Sequence, residues 1–279
     1  WSEPAQSTLR PLAAAFDGAN TPGGQQPGVS DEHAEIPDDH PRAQSLRTRH
    51  RIEAGVERGI TSRQGLIAEG RGEAFDYLLG EQTLDSADRA ARAAAAHLLA
   101  ADHPVVSVNG NVAALVPEAT VELAAAADAA VEVNLFNRTD ERMERIAAHL
   151  REHGAEEVLG LEADARIPGL AHERAKVDAD GIAAADAVVV PLEDGDRAAA
   201  LGELGKTEIV IDLNPLSRSA QTATVPIVDN VVRAVPRITD HARELADATD
   251  EKLRTIRERF DAEAALADAE RAIRDGELA

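Results

Sequence analysis

The sequence predicts an α/β fold: a Rossmann-like, mostly parallel sheet of about six strands, with a helical amino-terminal region and a helical carboxy-terminal extension. Three observations predict it. Short β-branched runs recur from Val105 onward, each fitting a strand buried on both faces. Helical patterns separate these runs, as in βαβ units with parallel strands and right-handed crossovers. The ordered residues before the first run, and roughly forty after Pro236, carry helical patterning without strand signal.

Taken in order, residues 1–39 read as a disordered or loosely attached extension, because Pro22, Gly23, Gly24 and Pro27 punctuate a stretch without periodicity. Residues 40–237 read as the main domain, helical over 40–102 and Rossmann-like over 103–237. Pro41 suits a helix start, and Ala43 to Arg58 carries Leu46, Ile52 and Val56 as a sparse apolar stripe before Gly59. Thr61 is the expected cap of a second helix, interrupted at Gly70-Arg71-Gly72-Glu73 and resuming from Ala74 to Leu79. Ser86 to Ala101 is an alanine-filled helix. Strands are expected at Val105–Val108, Val131–Leu135, Glu157–Leu161, Ala187–Val190, Glu208–Leu213 and Thr224–Val228. Between them, Pro117 to Ala127 is helical, and Thr139 caps a helix with Met143, Ile146 and Leu150 at spacings of three and four, ended by Gly154. Asp164 to Gly181 is irregular. Residues 238–279 read as a charged helical extension with Leu253, Ile256, Phe260 and Leu266 as a weak stripe.

Composition narrows the function classes. The chain has 279 residues, no cysteine and a formal charge of -22, from 51 acidic and 29 basic residues. Disulfides and thiolate metal sites are excluded. Acid-rich, lysine-poor, alanine-rich composition predicts a halophilic cytosol, where salt screens the self-repulsion. The charge argues against nonspecific binding of nucleic acid or an anionic membrane. No apolar run approaches the ~20 residues of a membrane span, and no basic-then-apolar leader is present, so a cytoplasmic protein is expected.

In open α/β sheets ligands bind at the carboxyl ends of strands. Asp194-Gly195-Asp196-Arg197 follows one expected strand; Asp212-Leu213-Asn214 and Ser217-Arg218-Ser219 follow the next. Carboxylates there can hold ribose hydroxyls or a Mg²⁺ carried on phosphates. Either stretch could also be a turn, but the added hydroxyls and cation exceed what a turn requires. Asn109-Gly110-Asn111 sits between a strand and a helix, where backbone N–H groups can meet an anion. Alone, Asn-Gly is more often a plain turn. Of the amino-terminal arginines Arg42, Arg47, Arg49 and Arg71, only Arg71 has glycines on both sides, with Glu73 as an orienting partner. The histidines show no metal-ligand spacing, and no direct metal ligand is expected. There is no three-glycine dinucleotide fingerprint, Walker A loop, nucleophile elbow or catalytic cysteine. The alternatives are an NAD(P)-dependent oxidoreductase, weakened by the missing fingerprint, and a non-catalytic nucleotide-binding protein.

His40-Pro41-Arg42, Gly65-Leu66-Ile67-Ala68 with Gly70 to Leu78, and Val108 to Pro117 together resemble the archaeal 4-phosphopantoate–β-alanine ligase (phosphopantothenate synthetase) family. The resemblance continues through Glu132 to Thr139, Ile167 to Leu170, Val190 to Arg197, Asp212 to Ala220 and Ile227 to Ala234, and so spans about His40 to Arg237. It departs at Glu69, where the family usually has histidine, and at Ala43, where an aromatic is common. The resemblance implies an ATP-dependent, AMP-forming ligase of coenzyme A biosynthesis that joins 4-phosphopantoate to β-alanine through an acyl-adenylate, with Mg²⁺, as a Rossmann-like homodimer. It also implies that Arg49, Arg71, Asp194, Gly195, Asp196, Arg197, Asp212, Leu213 and Asn214 lie at or near ATP. Asn109, Gly110, Asn111, Ser217 and Arg218 are the expected substrate-binding residues. Arg71, Asp196 and Arg197 are the expected catalytic ones.

Overall fold

The computed structural model describes residues 36–191 and 195–276, which belong to one compact unit beginning at Ile36. The expected 1–39 extension lies almost wholly outside the described residues, as does Asp194.

Three helices lead: α1 (Ala43–Glu57), α2 (Arg63–Leu79) and α3 (Asp85–Leu99). Gly59, at φ 68°, turns the chain out of α1 in the left-handed conformation that glycine adopts without strain. The expected break at Gly70-Arg71-Gly72 does not occur, and α2 runs through it. An interior glycine costs a helix about 1 kcal/mol relative to alanine but does not end it. Gly72 is buried, and a side chain there would press on Asn230 at 3.0 Å, so its missing Cβ is used for packing.

The sheet then begins with β1 (Pro104–Val108), which leads through α4 (Gly110–Leu115) and α5 (Pro117–Ala127) to β2 (Ala130–Val133). Thr139 caps α6 (Asp140–Glu152), its side chain accepting from the Arg142 amide as the sequence predicts. An antiparallel pair, β3 (Ala165–Arg166) and β4 (Lys176–Val177), occupies the stretch expected to be irregular. Next come β5 (Ala187–Pro191), α7 (Gly195–Glu203), β6 (Thr207–Asp212), α8 (Arg218–Thr222) and β7 (Val225–Val228). The chain closes with α9 (Val231–Leu245), α10 (Asp250–Arg259) and α11 (Ala262–Asp275).

The five long strands form one parallel sheet in the order β2-β1-β5-β6-β7. The expected strand at Glu157–Leu161 shrinks to a single bridge between Leu159 and Glu132 of β2. Gly160 explains this: at φ 91° it turns the chain away, and any side chain would fall on the Val133 carbonyl.

Every residue of β1 and β5 is buried, which accounts for their continuous apolar runs. One sheet face packs Val106, Val108, Val133, Val189, Ile209 and Ile227 against the alanine-rich α3 with α5 and α9. The other packs Val105, Val188 and Val190 against Leu201 of α7 and the β3–β4 pair. The expected boundary after residue 237 falls inside α9, which continues through Pro236. The last two helices both pack on α3, and α11 buries Ala265, Ala269 and Ala272. No helix among the described residues is long and apolar enough to cross a membrane.

Candidate active site

Because β1 is flanked by β2 on one side and β5 on the other, the strand order reverses at the β1–β5 boundary. Ligands of open α/β sheets bind in the crevice outside such a switch point. Asn109 closes the carboxyl end of β1 there. Its carbonyl oxygen accepts from the amides of Asn111 (3.0 Å) and Val112 (3.1 Å), capping α4. Its amide nitrogen donates to the Pro191 carbonyl at the end of β5 (2.9 Å).

A cavity of about 230 Å³ opens at the ends of β1 and β2, under α2. Asn109, Gly110, Asn111 and Arg71 line it, so the structure unites these four sequence-predicted residues. The close approach of α2 to α4 depends on two glycines. A side chain at Gly65 would fall on Thr61 and Asn111, and one at Gly110 on Arg142 and the Ile60 carbonyl (2.7 Å). Asn111 is consequently buried between the helices, accepting from Thr61 Oγ1 (2.5 Å) and donating to the Gly65 carbonyl (3.0 Å).

Arg142 and Arg174 also line the cavity, and sequence reasoning missed both. Arg142 stands in the first turn of the helix after β2 and donates to the carbonyls of Ile60 (3.1 Å) and Asn137 (3.3 Å). Burial lowers its pKa from the ordinary guanidinium value. The only sequence signal was its place just beyond a strand end. Arg174 had none, since it sits between two strands of two residues each. With Arg71, these give three guanidinium groups around one opening, the charge and donor set that suits a phosphate or carboxylate.

A second group gathers at the ends of β5 and β6. Asp196 pairs with Arg218, both exposed, and Arg218 lies across Gly195, where a Cβ would be 3.1 Å from its own. Asp212 is occupied by its own turn: one carboxylate oxygen accepts from the Asn214 amide (3.2 Å), the other from Ser217 Oγ (2.6 Å). Ser217 in turn caps α8 through the Ala220 amide (3.0 Å). Leu213 packs with Phe75, Leu79 and Val228, so its side chain belongs to the apolar wall behind the edge.

Two arginines differ from their expected settings. Arg197 is fully buried, with a guanidinium nitrogen 3.4 Å from Ser107 Oγ of β1. Its charge acts on the equally buried Glu132, which accepts from the amides of Asp178 (3.2 Å) and Ile182 (2.6 Å). Arg197 therefore reaches the interior beneath the crevice, not the open edge. Glu73 does not orient Arg71. It pairs with Arg42 and Arg49, and hydrogen bonds from Arg49 hold its carboxyl below the usual carboxylate range. Arg71 Nε instead donates to the Ala68 carbonyl of its own helix (3.3 Å).

Arg49 borders a third, enclosed space with Glu69, Glu73, Asp76 and Asn230. Asp76 and Asp229 grip Arg233 at 2.7 and 2.6 Å, which ties α2 to the start of α9. The sequence signal for Asn230 and Arg233 was their place directly after an apolar run. All three groups lie along the carboxyl edge of the sheet, between the leading helices and the loops that follow the strands.

The sequence profile of the phosphopantothenate/pantothenate synthetases matches residues 86–276. The chain belongs to the phosphopantothenate/pantothenate synthetase family. Among curated relatives, it is 57% identical over 241 residues to the 4-phosphopantoate–β-alanine ligase of Thermococcus onnurineus, which covers 86% of this chain and 92% of the relative. The Thermococcus kodakarensis ligase of the same name is 56% identical with the same coverage. That of Methanosarcina mazei is 52% identical over 84% of this chain and 92% of the relative. Among the described residues, the arginine-lined cavity and the exposed Asp196–Arg218 pair are both open and polar.

Proposed function

We propose that the chain condenses 4-phosphopantoate with β-alanine, using ATP and releasing AMP and diphosphate, as a step of coenzyme A biosynthesis. The observation that carries this reading is the cavity that joins Arg71, Arg142 and Arg174 to Asn109, Gly110 and Asn111 at the switch point. It presents a phosphate-binding donor set beside a strand edge suited to a nucleotide, in a chain whose relatives bear the ligase name.

In this reading the phosphopantoate phosphate occupies the arginine-lined cavity. ATP lies along the ends of β5 and β6, with Gly195, Asp196, Asp212, Asn214 and Arg218 beside it and Arg49 and Arg71 above. Asp194, next to Gly195 in the sequence, is assigned to ATP with them. Mg²⁺ carried on the nucleotide phosphates would lie beside the carboxylates of this edge and would supply charge neutralisation for the departing diphosphate. A carboxylate oxygen of phosphopantoate attacks the α-phosphorus, the bond to the diphosphate oxygen breaks, and an acyl-adenylate forms. The free amine of β-alanine then attacks the acyl carbon and passes one N–H proton to solvent, while the acyl C–O bond to AMP breaks. No protein nucleophile is required, so catalysis rests on positioning and charge neutralisation. Arg197 acts from below, fixing β1 through Ser107, and does not touch substrate. The enzyme works as a homodimer in a salt-rich cytoplasm; the exposed Ile67, Tyr77 and Leu78 of α2 suit a partner surface.

The test is a discontinuous assay with 4-phosphopantoate, β-alanine and Mg-ATP in molar KCl. AMP and the amide product are expected in equal amounts; ADP in place of AMP, or ATP binding without turnover, overturns the reading. Replacing Arg142 with alanine should raise KM for 4-phosphopantoate roughly 100-fold with a smaller effect on KM for ATP, as loss of a charge-assisted contact predicts. An equal rise for both substrates would remove the phosphate from that cavity.

A further inference from the structure

On the far side of α4 from the substrate cavity lies a second cleft of about 370 Å³, between α1, the α4–α5 corner, α6 and α9. Arg51 and Arg58 of α1 and His149 and His153 of α6 line it. The amino end of α5, an 11-residue helix, opens into it at Glu118 and Ala119, with Pro117 at the first helical position. Backbone N–H groups at such an end have no partner within the helix and favour negative charge. Glu118 is the one carboxylate among the described lining residues. In a chain of net charge -22, two guanidinium groups and two imidazoles around one opening run against the composition.

Local partners leave donors over. Arg51 uses one N–H on the Leu115 carbonyl (3.1 Å), and a guanidinium carries five. Arg58 pairs with Glu152 (2.9 Å), whose same oxygen lies 3.4 Å from His149 Nδ1. The two imidazoles meet edge-on with centroids 4.4 Å apart, and His153 Nδ1 donates to the His149 carbonyl (2.8 Å). Burial first, then the charges of Arg58 and His153, hold His149 below its ordinary pKa against the opposing pull of Glu152. The floor is apolar, built from Ile60, Leu115, Val116 and Pro236.

We propose that this cleft binds a small organic anion, its phosphate or carboxylate held by Arg51, Arg58, His153 and the amino end of α5. Its aliphatic body lies on Ile60, Leu115 and Val116. The site is separate from the reaction described above. Helix α4 stands between them, with Asn109–Asn111 at one end facing the substrate cavity and Ala114 and Leu115 at the other lining this cleft.

Histidine-ring NMR of the full chain, titrated with inorganic phosphate and with butyl phosphate, tests this. Signals of His149 and His153, assigned through His149→Gln and His153→Gln, should shift saturably, with butyl phosphate binding about tenfold more tightly because its chain is buried. Arg51→Ala with Arg58→Ala should weaken binding at least about tenfold, the equivalent of one lost charge-assisted contact. Arg71→Ala with Arg142→Ala, which disables the substrate cavity, should leave it within about twofold. The single change Arg51→Gln keeps most of the side-chain stem and should act in the same direction, so a folding defect in the alanine pair does not decide the outcome. Three results would overturn the proposal: no saturable shift of these rings, a shift that survives loss of Arg51, or one that disappears with Arg71 and Arg142.

Discussion

Glu69 sits half-buried on α2, and burial, followed by the nearby charges of Asp76 and Glu73, pushes its pKa from 4.5 up to about 7, with Arg71 opposing. The folded protein therefore holds a proton that the unfolded chain releases between those values. The stability tied to this group is full below about pH 4.5 and is lost as pH rises towards 7. Glu132, also raised to about 7 by burial, adds a loss of the same sign. Glu69→Gln should flatten the fall of Tm between pH 5 and pH 8 and raise Tm at pH 8 by about 2–4 °C, the shift that 1 kcal/mol gives in a domain of this size. Thermal melts across that range check it, and an unchanged slope would mean that Glu69 titrates normally. Single residues at strand ends were the most legible part of the site. Asn109 to Asn111 and Asp196 could be placed because a strand must end near them. Whether a side chain points out or in could not be read. Arg197 follows Asp196 directly, yet one is buried and the other exposed, because successive residues of a helix point about 100° apart, enough to turn one inward and leave the other in solvent.

Among the elements, α2 and α4 decide the shape of the arginine-lined cavity. Their approach leaves no room for a methyl group at residue 65, where Thr61 and Asn111 already meet at 2.5 Å. Gly65→Ala should therefore destabilise the protein by about 1–3 kcal/mol, as overpacking does, and should impair substrate binding more than its stability loss explains. Denaturant unfolding beside substrate kinetics separates the two effects, and native-like values in both would show that the helices can move apart. Helix and strand positions were mostly legible from β-branched runs and spacings of three and four. Two misreadings share a cause, which is glycine in a regular element. At Gly70 and Gly72 it suggests a break, although the helix runs through both positions. At Gly160 an apolar run suggested a strand, although the residue turns the chain away after one bridge. Local composition reports the tendency, while the neighbouring element decides the outcome.

For the whole molecule, the charge of -22 matters most. Many surface pairs are exposed on both sides, among them Arg58–Glu152, Arg89–Asp268 and Arg243–Glu122, and such pairs contribute little. Excess acidic charge therefore opposes compactness until salt shortens its range from about 10 Å at 0.1 M to about 3 Å at 1 M. Circular dichroism melts in rising KCl should show Tm climbing by several degrees towards molar salt. A flat or falling curve would count against a halophilic setting. The alternating strands made the fold class legible from the sequence. How the last two helices use their alanines could not be read, since a stripe of small side chains looks the same whether it packs on α3 or faces water. The bond from Asn109 to the Pro191 carbonyl has a consequence at this scale. It joins the floor of the arginine-lined cavity, the proposed phosphopantoate site, to the end of β5, on the side proposed for ATP. Filling either side restrains that shared bond, so the two substrates should enter synergistically, each tightening the other by one and the same factor whichever arrives first.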